Sequence, residues 1–119
     1  MPLPKIAMVA IAIALSIPAL AVPSERAQFR SHAAAAKTHF GLGEFREAAA
    51  EWRSAYEIRN VPVLLFDMAQ AFRLAHDWES AREDYRNYLR ALPDAPNKAE
   101  VMNRIRTMTR SMHHPPKGR

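Results

Sequence analysis

The chain has 119 residues, with 17 Lys and Arg against 12 Asp and Glu for a formal charge of +5, nine prolines, three glycines and no cysteine. That length holds at most one domain, and the missing thiol excludes a disulfide framework, a thiolate metal site, a cysteine nucleophile and a lipidated N-terminal cysteine. From position 22 onward Val, Ile and Thr together number nine against many Ala, Arg, Glu and Leu, a balance that favours helices and excludes an all-β fold.

Residues 1–21 read MPLPKIAMVAIAIALSIPALA, and 16 of these 21 are apolar. Lys5, the uncharged run Ile6 to Ile17, Pro18 and the small-residue triplet Ala19-Leu20-Ala21 follow the three-part layout of a secretory signal peptide. The 12-residue apolar run is shorter than the roughly 20 residues an α-helix needs to cross a bilayer. Cleavage after Ala21 is expected, with Ala19 and Ala21 as the small side chains read by the peptidase; an uncleaved anchor is the competing reading. Export would place the mature chain in the periplasm or outside the cell, held together by packing alone.

Prolines divide the remainder, at Pro23, Pro62, Pro93, Pro96 and Pro115-Pro116. A proline-free segment of about 30 residues exceeds one average helix of roughly 11, so each predicts a helix pair with a short turn. In the first, Gly41 and Gly43 mark the turn; in the second, Asp77 after His76 is the expected N-cap. A final helix is expected over about 96–112, with Pro96 near its first position and Val101, Met102, Ile105, Met108 and Met112 on one side. Met68 and Met108 read as core, leaving Met112 as the one exposed methionine of the mature chain. Residues 113–119 form a basic tail expected to be disordered.

An internal repeat emerges at an offset of 33. Phe45 aligns with Trp78, Ala48 with Ala81, Trp52 with Tyr85, Arg53 with Arg86, Tyr56 with Leu89 and, upstream, Ala36 with Ala69. Phe45, Ala48, Trp52, Ala55 and Tyr56 fall on one helical face, as do Leu65, Met68, Ala69 and Phe72. A small residue at mid-helix, an aromatic after the turn, Ala three positions later, an aromatic four beyond and a closing Pro resemble the tetratricopeptide (TPR) repeat, whose period is about 34 residues. The better copy spans residues 62–94 and the other residues 29–61, where His32 and His39 replace large apolar residues. The resemblance implies an all-α domain over 22–112: two helix-turn-helix repeats and a C-terminal capping helix, forming a fragment of a right-handed α-solenoid similar to small exported bacterial TPR proteins. Ala48 and Ala81 would let helix axes approach closely while Phe45, Trp52, Trp78 and Tyr85 fill the flanks.

No GxSxG, glycine-rich phosphate loop or HExxH occurs, so no enzymatic activity and no cofactor are expected. His32/His39 and His113/His114 fall short of the three or four organised ligands of a zinc site. Glu44, Glu47 and Glu51 interleave with Arg46 and Arg53 and read as an exposed salt-bridged face of one helix. Positive charge concentrates at the C-terminal end: Lys98, Arg104, Arg106, Arg110, Lys117 and Arg119 stand against Glu100, while residues 22–97 hold ten basic and eleven acidic residues. This end either complements its own helix dipole or meets an anionic surface; export and the lack of interleaved aromatics argue against nucleic acid.

In TPR arrays the first helix of each pair lines a concave groove for a peptide. That resemblance implies a groove with Arg30, Ala33, Lys37 and Phe40 from the first pair, Val63, Phe66, Gln70 and Arg73 from the second, and Arg104 and Met108 from the cap. A peptide carrying a carboxylate is the expected ligand, with Lys37, Arg73 and Arg104 as charge partners and Phe40 and Phe66 as anchors. The expected function is thus a protein-interaction module of the cell envelope, the alternative being a structural subunit or spacer that self-associates.

Overall fold

The computed structural model describes Pro2 and residues 22–118; the segment assigned to the signal peptide, including Ala19 and Ala21, lies outside them apart from Pro2. The described chain is all-α, with α1 (Glu25–Gly41), α2 (Phe45–Ile58), α3 (Val63–Leu74), α4 (Trp78–Ala91) and α5 (Lys98–His113). Each helix packs on its neighbours in chain order: α1 on α2, α2 on α3, α3 on α4 and α4 on α5.

The 33-residue offset is a property of the backbone as well as of the sequence. Helices α2 and α4 both run 14 residues and start at Phe45 and Trp78, while α1 and α3 end at Gly41 and Leu74. Gly43 has φ 77° and His76, at the equivalent place, φ 60°. The turn hydrogen bonds repeat as well, the amides of Gly43 and Glu44 donating to Phe40 and His39 carbonyls and those of His76 and Asp77 to Arg73 and Phe72. A left-handed residue followed by an N-cap is what reverses the chain so tightly. Asp77 caps as expected, its Oδ1 accepting from the Ser80 amide at 3.2 Å.

Position along the chain decides burial. The central helix α3 has partners on both sides and buries Leu64, Leu65, Met68, Ala69 and Ala71, whereas the end helices bury little: Ala36 in α1, Val101 and Met108 in α5. Ala48 and Ala81 are fully buried in α2 and α4, beside Trp52 and Tyr85, so small residues sit where helices approach and aromatics fill the adjoining volume. Fully burying one large apolar side chain contributes about 1.5–3 kcal/mol, so the aromatics weigh heavily in so short a chain. At the N-terminal end Ser24 caps α1 by accepting from the Ala27 amide at 3.1 Å, and the Arg59 guanidinium lies 5.3 Å from the centre of the Phe29 ring.

Two expectations change. Helix α5 lies within two residues of its expected span, and its cap residue Asn97 makes no capping bond, its Oδ1 accepting from the Tyr88 hydroxyl at 2.8 Å. Met102 is 43% exposed, so Met112 is not alone; α5 packs mainly on α4 and reaches α3 through Arg104, and it cannot bury a full apolar stripe. The charges around α2 do not pair within the helix. They reach across seams instead: His32 to Glu51 at 2.6 Å, Arg46 to Asp77 at 3.5 Å and Arg53 to Asp84 at 3.6 Å. These positions flank the buried stripe, so the neighbouring helix offers a closer partner than the next turn does.

Candidate functional site

The residues of the expected groove fall into two groups. Phe40 and Phe66 are half-buried and belong to the packing: Phe40 meets Phe45 and Trp52 with ring centres 5.2 and 5.6 Å apart, and Phe66 meets Tyr85 and Tyr88 at 5.8 and 5.4 Å. Arg30 and Lys37 are exposed on α1. Lys37 acts on Asp67 of α3, whose carboxyl pKa is raised by burial and partly drawn back by that lysine. Ala33 is half-buried, Val63 is exposed and Met108 is buried.

Gln70, Arg73 and Arg104 form the second group, and they are joined. The Gln70 Oε1 accepts from the Tyr85 hydroxyl, from Arg104 Nη1 and, at 3.3 Å, from Arg73 Nε. Arg104 Nη1 also donates to the Tyr85 oxygen at 3.2 Å, and its Nη2 donates to Glu100. One amide oxygen thus ties α3, α4 and α5 together. Burial works against the charged guanidinium of Arg104, but the contacts with Tyr85 and Glu100 outweigh it and hold its pKa above the ordinary value. The arginine remains a cation at every working pH.

Beside this junction lies a pocket of about 240 Å³ lined by Arg73, Trp78, Arg104, Thr107, Met108 and Ser111. Arg73 comes from the last turn of α3, Trp78 opens α4, and the remaining four lie on α5. Gln70 fixes the side chains of both arginines, so two guanidinium groups flank one small space. Two hydroxyls, the Trp78 ring and Met108 complete it. Such a set suits a carboxylate with a short apolar attachment, because the guanidinium groups donate where the anion accepts, while the Thr107 and Ser111 hydroxyls donate to the Asn103 and Thr107 carbonyls. The volume is below the roughly 300–1,000 Å³ of drug-sized ligand sites and matches a side chain or a chain end.

Trp78 was assigned to repeat packing, and Thr107 and Ser111 were missed. Their positions three and seven residues after Arg104 put them on its helical face, so the phase of α5 alone could have found them. Among the described residues no group of three His, Asp or Glu is placed to hold a metal ion. His32 and His39 instead face Glu51 and Glu44 at 2.6 and 3.5 Å, polar pairs in the first repeat where the second has Leu65 and Phe72. Compared with family models, curated proteins and solved structures, the chain matches none.

Proposed function

We propose that the chain is an exported, non-catalytic interaction module of TPR type, and that it holds a carboxylate of a peptide or partner protein in the pocket between α3, α4 and α5. The repeat reading rests on helix ends, turn bonds and left-handed residues that recur at an offset of 33. The binding reading rests on a single observation: Arg73 and Arg104, remote in sequence, line one pocket and share the Gln70 oxygen. Of the charge partners first expected, Lys37 is displaced to a supporting role beside Asp67, and Trp78 and Met108 replace Phe40 and Phe66 as apolar walls.

The N-terminal segment supplies the export half of the proposal. No helix among the described residues is long and apolar enough to span a membrane. A spacer or self-associating subunit is the second reading, favoured by the exposed Leu92, Met102 and Met112 at the C-terminal end.

A peptide array probed with the protein tests the binding reading. Bound peptides should be enriched in Asp, Glu or a free C-terminus, and Arg73→Glu should weaken them at least tenfold. Lys37→Glu should weaken them by less. Binding that ignores Arg73→Glu sets the proposal aside.

A further inference from the structure

A second surface lies on the far side of α5, in a trough of about 660 Å³ between α4 and α5. Arg86 stands on its α4 wall, and Ile105, Arg106, Thr109, Arg110 and His113 are on its α5 wall. No carboxylate lines it. Arg86 is exposed and forms no ion pair among the described residues.

The repeat shows what such a trough holds one step earlier in the chain. Helix α4 lies against α3 and reaches back to α2 through Arg53, which stands 3.6 Å from Asp84. Along its length α4 buries Ala81, Asp84, Tyr85 and Tyr88, with both tyrosine rings against Phe66 of α3. Adding the offset of 33 turns Arg53 into Arg86 and Phe72 of α3 into Ile105 of α5. Arg86 therefore occupies the place of an arginine whose partner is a buried carboxylate two helices further on, and among the described residues no helix follows α5 to offer one.

We propose that the α4/α5 trough receives an amphipathic helix from another protein. That helix presents an aspartate or glutamate to Arg86, a small residue three positions before the acid, and aromatic residues one and four positions after it. The arginines and histidines on the rim favour an acidic flank on the same helix. A second copy of this chain docked end to end fits poorly, because α1 carries Glu25 alone against Arg26, Arg30 and Lys37. The trough is distinct from the carboxylate pocket: it uses Arg86 and Ile105, whereas the pocket uses Arg73 and Trp78.

Helix α4 itself is the available probe. A capped, fluorescein-labelled peptide of residues 76–93, HDWESAREDYRNYLRALP, is titrated with the full chain and followed by anisotropy. Saturable binding is expected, with Arg86→Glu weakening it at least tenfold and an Asp84→Arg peptide restoring affinity to the Arg86→Glu protein. Because an isolated peptide of this length is poorly helical, the same segment is also fused after residue 119. The fusion should melt at a higher temperature than the parent chain, and Arg86→Glu should remove the gain.

Three results overturn the proposal. The first is no peptide binding together with no gain in the fusion. The second is binding that depends on Arg53 rather than Arg86, which means that the peptide displaces the chain's own α4. The third is that vesicles containing phosphatidylglycerol bind in an Arg86-dependent way while the peptide does not.

Discussion

Arg53 on α2 stands 3.6 Å from the carboxylate of Asp84 on α4, and Asp84 is 3% exposed. The distance is too long for a hydrogen bond, and Asp84 Oδ2 has no hydrogen-bond partner among the described residues. A buried carboxylate held only by a half-exposed arginine is an energetic weakness at neutral pH.

Its titration fixes a pH dependence. Burial raises the Asp84 carboxyl from 3.8 to about 6, with Arg53 opposing and Glu83 and Asp77 adding to the rise. The folded state therefore binds this proton more tightly than the unfolded chain. The contribution of Asp84 is most favourable below its unfolded value, and it is lost as pH rises toward the folded one. A separation of about two pH units is worth roughly 3 kcal/mol by linkage. Urea unfolding should show Asp84→Asn more stable than the wild type at pH 7.5, with the advantage shrinking toward pH 4. An advantage that is the same at both pH values would mean that the carboxylate does not titrate in this window.

The Gln70 junction predicts strong coupling. Gln70→Leu leaves the hydroxyl of the fully buried Tyr85 with Arg104 as its remaining contact, and leaves Arg104 without its amide partner. Loss of one partner of a buried pair costs about 1–3 kcal/mol, whereas removing both is often close to neutral. Denaturant unfolding of Gln70→Leu, Tyr85→Phe and the double variant should therefore give a double-variant cost well below the sum. Additive costs would remove the junction from the account.

Two glycines separate backbone from packing. A Cβ at Gly41 or at Gly43 would meet nothing within 4 Å, but only Gly43 has positive φ, at 77°. Gly41 is helical, so Gly41→Ala should stabilise by about 0.5–1 kcal/mol. Gly43→Ala forces an L-residue into the left-handed region and should destabilise by about 1 kcal/mol. Thermal melts of the two variants should move in opposite directions.

Export predicts a defined new N-terminus. Sequencing of the protein recovered from an envelope or secreted fraction should begin at Val22, and Ala19→Arg with Ala21→Arg should leave the longer chain uncut. Recovery of an intact Met1 terminus from that fraction would favour the anchor.

The repeat was legible because Ala48, Ala81 and the aromatics around them mark crossings by size alone, and size is printed in the sequence. The seam-crossing pairs were not legible. Glu51 finds His32 and Arg53 finds Asp84 only once α1, α2 and α4 lie side by side, while local spacing pointed each charge to its own helix. The repeat resemblance put Arg73 and Arg104 in one groove, which is half of the pocket. It could not tell that Phe40 and Phe66 would turn inward against Trp52 and Tyr85, because a half-buried aromatic has no one-dimensional signature.

The carboxylate pocket is tested most directly by titrating the isotopically labelled protein with two forms of one peptide, one with a free C-terminus and one amidated, and following amide and indole shifts by NMR. The free acid should move the Trp78 indole and the Thr107 and Ser111 amides in a saturable way, and both the amidated form and Arg73→Glu should abolish this. Equal shifts with acid and amide, or shifts confined to residues away from α3 and α5, would contradict the assignment of Arg73 and Arg104 as the carboxylate's partners.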